Sequence, residues 1–289
     1  MNKKIIVDKE MELYSFLREK LSSLSKNNVK SLLKRKMIKV NDKIVTSYDY
    51  ILKKNDIVII KNNIIDSNLS KEINIIYEDK SIIVIDKPSG ILTIATDKNK
   101  DNNYNLYSII SKYVKRENAN NKIFIVHRLD KDTSGVILFA KSEIIKNILQ
   151  KKWNETANRI YYAVVVGDTK KEDTLINYLQ ENKQLVTYIS NTGKLAITNY
   201  EKIKTNGKYS LLKVKINSGR RNQIRVQLNN ISHPILGDNK YGIKNKNFSR
   251  MMLHASILEI IHPVSGKKIK FESVIPSTFY DIVRETNIC

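Results

Sequence analysis

The sequence predicts an α+β protein in two parts. A small helix-helix-hairpin unit spans residues 1–62, and a larger, largely antiparallel β-sheet domain spans residues 73–289, with a linker over 63–72. Three observations predict this. Helical periodicity fills the first part, Asn and Ser crowd an aperiodic stretch at the junction, and from Ile73 onward short apolar runs alternate with turn residues. Strand runs outnumber helical ones and pair as hairpins, which separates α+β from an alternating βα order.

In the first unit, Leu13, Phe16, Leu17, Leu21 and Leu24 recur at i, i+3/i+4 spacing and predict an amphipathic helix over about 11–24. Ser25 or Asn27 can cap a second helix that turns Val29, Leu32 and Leu33 inward. On its flank Lys26, Lys30 and Lys34 form a basic stripe, followed by Arg35, Lys36 and Lys39. Met37–Val40, the turn at Asn41-Asp42 and Lys43–Thr46 read as a hairpin, and Asp56–Ile60 as a last strand.

In the second part, Ile73–Tyr77 and Ile82–Ile85 flank a Glu78-Asp79-Lys80 turn, and Lys87-Pro88-Ser89-Gly90 forces the chain round. Ile123–Val126 and Val136–Ala140 are buried-strand runs separated by a polar loop. Ser142 can cap a helix carrying Ile145, Ile148, Leu149 and Trp153. Arg159–Val166 is apolar on both faces and so reads as a central strand. Leu212, Val214 and Ile216 alternate with Lys213 and Lys215, Ile224, Leu228 and Ile231 mark a helix, and a final hairpin turns at Ser265-Gly266.

Composition narrows the function. Lys and Arg number 51 against 29 Asp and Glu, a net charge of +22, which points to a polyanionic partner, nucleic acid first. The longest apolar run, Ile160–Val166, has seven residues where a membrane helix needs about 20. Lys3, Lys4, Asp8, Lys9 and Glu10 leave no apolar leader, so a cytosolic protein is expected. The single cysteine, Cys289, excludes an internal disulfide and a cysteine-built metal site, and His127, His233, His254 and His262 fall into no metal-ligand spacing. No metal and no cofactor is expected.

The polar loop His127-Arg128-Leu129-Asp130-Lys131-Asp132-Thr133-Ser134-Gly135 lies between two buried strands, where a rigid frame can present chemistry. Asp132-Thr133-Ser134-Gly135 is turn chemistry. Asp130 has less local work, which makes it the candidate reactive carboxylate. His127 is expected to be a structural hydrogen-bonder at the strand end.

This segment resembles the RluA-type pseudouridine synthases, whose signature HRLDxxTSG it matches at every defined position. The resemblance extends through Tyr77-Glu78-Asp79, Asp86-Lys87-Pro88-Ser89-Gly90, Arg159–Gly167, Gly219-Arg220, Gln223-Ile224-Arg225, His233–Asp238, Tyr241-Gly242, Leu253-His254-Ala255 and His262-Pro263. It covers about residues 73–289, and residues 11–60 are similar to the S-four-type RNA-binding domain. The resemblance implies isomerisation of a uridine in RNA, with no hydride carrier, metal or ATP. It implies Asp130 as nucleophile or base at the sugar, Tyr161 stacking on the uracil, and Arg225 as a bidentate partner of the aspartate. Arg128 would enter the RNA stack after the base is extruded, and Leu129 would pack beneath the loop or against the base. Lys26, Lys30, Lys34 and Arg35 would grip structured RNA. The partner is expected to be ribosomal RNA of the large subunit, with tRNA second, and the enzyme a monomer.

Three departures stand out. The family usually has Thr-His where this chain has Arg221-Asn222, and His where it has Gln227; Arg159 replaces a common Lys. None is expected to touch the aspartate, the tyrosine or the partner arginine. A non-catalytic RNA-binding or ribosome-assembly protein is the rival reading, and a metal-dependent nuclease lacks its acidic or histidine cluster.

Overall fold

A computed structural model describes residues 3–21, 29–30, 32–33, 37–60, 74–94, 105–242 and 248–284. The chain divides into two compact units, Met1–Glu72 and Ile73–Cys289. The expected linker at 63–72, Leu24, and the candidate caps Ser25 and Asn27 lie outside the described residues.

The first unit contains β1 (Lys3–Ile6), β2 (Met11–Glu12), α1 (Leu13–Lys20), β3 (Ile38–Val40), β4 (Lys43–Ile44), β5 (Ile51–Leu52) and β6 (Ile57–Ile60). Four strands form a sheet in the order β1-β6-β3-β4, while β2 pairs with β5. The helix expected from residue 11 begins at Leu13 instead. Met11 and Glu12 are drawn into pairing with Ile51 and Leu52, and the first helical N–H groups, on Leu13 and Tyr14, donate to the carbonyls of Tyr50 and Tyr48. Those carbonyls take over the work of a side-chain cap, which is absent. Leu13, Phe16 and Leu17 then pack with Val29, Leu33, Ile38, Leu52 and Val58 in one core. Asn41 and Asp42, at φ 46° and 64°, make the two-residue left-handed turn that a tight hairpin requires.

The second unit contains β7 (Asn74–Glu78), β8 (Ile82–Lys87), α2 (Leu106–Glu117), β9 (Phe124–Ile125), β10 (Ser134–Ala140), α3 (Glu143–Lys151) and α4 (Trp153–Thr156). It continues with β11 (Asn158–Val166), β12 (Glu172–Glu181), β13 (Thr187–Ile189), β14 (Lys194–Thr205), β15 (Tyr209–Ile216) and α5 (Gln223–Asn230), and ends with β16 (Leu253–Ile261), β17 (Lys268–Glu272) and α6 (Ser277–Ile282). One sheet runs β13-β12-β14-β15-β11-β16-β10-β8-β7, with β17 added to β16 and β9 to β10. β11 is central, as its two apolar faces predict. Ser142 caps α3 by accepting the Ile145 N–H at 3.2 Å. Ile148 departs from expectation: it is 48% exposed, because α3 turns Ile145 and Leu149 to the core and Trp153 sits in the separate turn α4.

Two irregularities in this sheet set up the site. β10 and β16 pair in parallel over Ser134↔His254 and Gly135↔Ala255, while the other described ladders are antiparallel. A register shift between β11 and β16 falls at Ile160/Tyr161, where Ser256 is the extra residue on β16 opposite the start of the Tyr161 pairing.

Gly135 allows the parallel contact. Its φ is +111°, and a Cβ there would stand 2.1 Å from the Ala255 carbonyl oxygen. Gly135→Ala is therefore expected to destabilise the protein by about 3 kcal/mol or more, through strain plus displaced backbone. Gly90→Ala, at φ +88° with nothing within 4 Å, is expected to cost only about 1 kcal/mol. Urea unfolding midpoints of the two variants check the contrast.

Candidate active site

The loop from His127 to Thr133 is fixed from beneath by residues 87–93. Gly90 N–H and the Ser89 hydroxyl donate to the carbonyls of Lys131 and Asp132 at 2.9 and 2.7 Å. The Thr93 hydroxyl donates to the Leu129 carbonyl at 2.8 Å and accepts the Leu129 N–H at 3.2 Å. The ammonium of Lys87, fully buried, donates to the carbonyls of Pro88, Ile91 and Lys131 at 2.8–3.0 Å. Burial lowers its pKa to about 8, with Asp132 and then Asp130 pulling the other way. The sequence gives Lys87 no role. A lysine ending an apolar strand just before a proline is the signal that could have found it.

Two donors grip a single oxygen of Asp130. Oδ2 accepts from Arg225 Nη1 at 2.9 Å and from Asn222 Nδ2 at 2.6 Å. Among the described residues, Oδ1 has no protein donor. The expected bidentate pairing of Arg225 with Asp130 is not what the structure shows. The arginine gives its fork, Nε and Nη2, to Asp238 at 2.7 Å each, because Asp238 is buried and needs both bonds, and only the third N–H reaches Asp130. Asp238 also accepts the backbone N–H groups of Lys240 and Tyr241. Burial pushes the Asp238 carboxyl up, but Arg225 and those N–H groups outweigh it and leave the pKa below the usual range. Burial opposes the charge on Arg225, yet Asp238 and then Asp130 raise its pKa overall.

Asn222 also contradicts expectation, because the departure it represents touches the aspartate directly. It stands one helical turn before Arg225, so both side chains leave the same face at the start of α5. Gln227, another of the departures, is buried, accepts from the Thr198 hydroxyl at 2.7 Å and donates to Asn177 Oδ1 at 2.8 Å, anchoring α5 under β12 and β14.

Tyr161 is buried beside Asp130, and the two share a cavity of about 70 Å³ with Leu129, Ile216, Arg225 and Leu253. Burial pushes the Tyr161 phenol up to about 12, with Arg159 opposing and Asp130 adding. Arg128 borders the cavity and is exposed, while Leu129 is buried. His127 Nε2 accepts the Leu138 N–H at 3.1 Å and its ring stacks on Trp153 at 4.7 Å; burial, then Arg159, lowers its pKa to about 3. A larger cleft of about 1320 Å³ is bordered by Glu78, Tyr113 and Lys141, where Glu78 accepts from the Tyr113 hydroxyl and pairs with Lys141. Of the predicted RNA-gripping residues, Lys30 is exposed on the first unit with Nζ 5.9 Å from the Tyr14 ring centroid. Lys26, Lys34 and Arg35 lie outside the described residues.

Residues 81–230 match the family model described as RNA pseudouridylate synthase. The chain belongs to the RNA pseudouridylate synthase family. It is 32% identical over 285 residues to an RNA pseudouridine synthase of Bacillus subtilis (strain 168), covering 94% of this chain and 92% of that one. It is 29% identical to the ribosomal large subunit pseudouridine synthase D of Haemophilus influenzae (strain ATCC 51907 / Rd), covering 92% and 88%. The fold is similar to that of human RNA pseudouridylate synthase domain containing 4, with a TM-score of 0.60 at 19% identity over 74% of this chain and 92% of that one. The protein is an RNA pseudouridine synthase, and no described helix is long and apolar enough to cross a membrane.

Asp238→Asn takes the charge from the buried partner that holds the Arg225 fork and leaves the guanidinium with Asp130 as its ion-pair partner, so it is expected to cost about 3 kcal/mol. The folded pKa of this carboxyl lies below the unfolded value of about 3.9, so its contribution is full above that value and fades as pH falls through the folded one. Thermal midpoints between pH 7 and pH 2.5 should fall steeply below about pH 4 in the parent and less steeply in the variant.

Proposed function

We propose that the enzyme isomerises a uridine within large-subunit ribosomal RNA, with Asp130, Tyr161 and Arg225 as its catalytic set. The observation that carries this reading is the state of Asp130. Although held on Oδ2 by two donors, its side chain is still 27% exposed, at a cavity that Tyr161 borders.

Asp130 works at the sugar. As a nucleophile its free oxygen bonds to the anomeric carbon while the bond to the uracil nitrogen breaks; as a base it removes a sugar proton. The freed uracil turns over and its carbon five bonds to the anomeric carbon, as the Asp130–sugar bond breaks in the nucleophilic route or the sugar regains its proton in the base route. Carbon five then loses its proton and the ring nitrogen gains one. Nothing is added or lost overall. Tyr161 stacks on the base, and its raised pKa keeps the hydroxyl a neutral donor. Arg128, exposed at the rim, refills the RNA stack and offsets part of the few kcal/mol that extrusion costs. Leu129, buried under the loop, supplies apolar contact.

The first unit acts as an S-four-type RNA-binding domain through Lys26, Lys30, Lys34 and Arg35, and the enzyme works in the cytosol as a monomer without metal or cofactor. The ribosomal assignment is supported by the relative named for the large subunit, which matches both units.

Asp130→Ala is expected to abolish tritium release from RNA labelled at uridine carbon five, while leaving RNA affinity within about twofold and activity of the parent unchanged in excess chelator. Full activity in that variant overturns the assignment. Replacing Lys26, Lys30, Lys34 and Arg35 with Ala is expected to weaken RNA binding and to flatten its salt dependence by about 0.7–0.9 in log–log slope for each phosphate no longer neutralised. Pseudouridine mapping of cellular RNA with and without the gene identifies the substrate; a mark missing from tRNA alone would overturn the ribosomal assignment.

A further inference from the structure

We propose that Asn222 and Tyr241 form a positioning relay that fixes which oxygen of Asp130 reacts. This rests on the reading of Asp130 as the reacting carboxylate. Asn222 is the residue preceding α5, a place where Asn ordinarily adopts an extended backbone and folds its side chain back to accept a helix N–H. Here it does neither. Its φ and ψ are 51° and 21°, in the left-handed region, and its side chain makes no capping bond. Backbone strain of this kind persists where the surroundings require it. What it achieves is to turn the amide away from the helix and onto Asp130, at 2.6 Å.

The orientation of that amide is determined by its partners. A carboxylate can only accept, so Nδ2 must face Asp130 and Oδ1 must face away. Oδ1 accepts from the Tyr241 hydroxyl at 3.2 Å, and the Tyr241 oxygen in turn accepts the Thr187 N–H at 2.9 Å. The three bonds all point one way, from the backbone of edge strand β13 through phenol and amide to Oδ2, and chains aligned in this sense polarise each other. The Tyr241 ring is itself held, with the guanidinium of Arg225 4.9 Å and the ammonium of Lys240 5.2 Å from its centroid. Arg225 and Asn222 thus meet on one oxygen from two directions, which locks carboxylate rotation and leaves Oδ1 as the atom presented to the sugar. Asn222 contributes without adding charge, so the nucleophilicity of Asp130 is not lowered by a second cation.

The test uses the full chain, single-turnover tritium release and RNA affinity measured separately. Gly and Asp both tolerate the left-handed backbone, so Asn222→Gly removes the amide without refolding the turn, and circular dichroism checks that the fold persists. Asn222→Gly is expected to slow the chemical step roughly ten- to a hundredfold, as loss of a bond to a charged group implies, with RNA affinity unchanged. Tyr241→Phe keeps the ring and is expected to slow it several-fold, and the double variant should be no slower than Asn222→Gly alone. Asn222→Asp sets two carboxyls on one site and raises the pKa of one of them, so its activity should collapse at pH 7.5 and recover relative to the parent toward pH 5, where the new group becomes a donor. A full-rate Asn222→Gly, a loss confined to RNA affinity, or an unchanged pH profile in Asn222→Asp overturns the relay. Asp130→Asn is measured alongside: if it stays active, the reading of the reacting carboxylate itself fails, independently of the relay.

Discussion

The structure depends on one guanidinium serving two carboxylates. Arg225 spends its fork on Asp238 and its remaining terminal nitrogen on Asp130, so a single side chain ties α5 to the turn around Asp238 and to the loop between β9 and β10. Burying Arg225 and Asp238 together is an expensive way to gain stability, since desolvation offsets much of the attraction. It is an effective way to fix geometry. If Asp238 were absent, the guanidinium would be free to turn its fork to both oxygens of Asp130.

The sheet gives that triad its rigidity. The short parallel contact between β10 and β16 sets the loop that precedes β10 beside the strand paired with Tyr161, and Tyr161 and Asp130 border the same cavity. Below, Lys87 and Thr93 satisfy loop carbonyls that would otherwise be stranded away from water. Frame and loop are therefore joined by hydrogen bonds along the length of the loop.

Much of this is legible in the chain. Ile82–Ile85, Val136–Ala140 and Arg159–Val166 announce themselves because strands buried on both faces leave unbroken apolar runs. β12 and β14 are hidden because they bury only one face, and sparsely: Leu175 and Leu179 are covered while the intervening Ile176 is 61% exposed, so alternation is blurred. α2 does carry a signal, with Leu106, Ile109, Ile110 and Val114 at helical spacing behind an Asn105–Ser108 capping box, although the polar residues around it mask the pattern. At the site, Asp130, Arg225, Tyr161 and Leu129 are readable through the motif. Asp238 is not, because an aspartate after glycine reads as turn chemistry, and Asn222 is not, because a bond to a residue 92 positions away in sequence leaves no local pattern.

The chain has one tryptophan, and the structure places it against His127, the residue that opens the catalytic loop. Imidazolium is an efficient quencher of indole emission and neutral imidazole a poor one. Burial lowers the His127 pKa to about 3, which keeps the ring beside the indole neutral near pH 7. Trp153 is thus a single indole seated at the root of the loop that carries Asp130, an optical reporter of that loop's surroundings with no label attached.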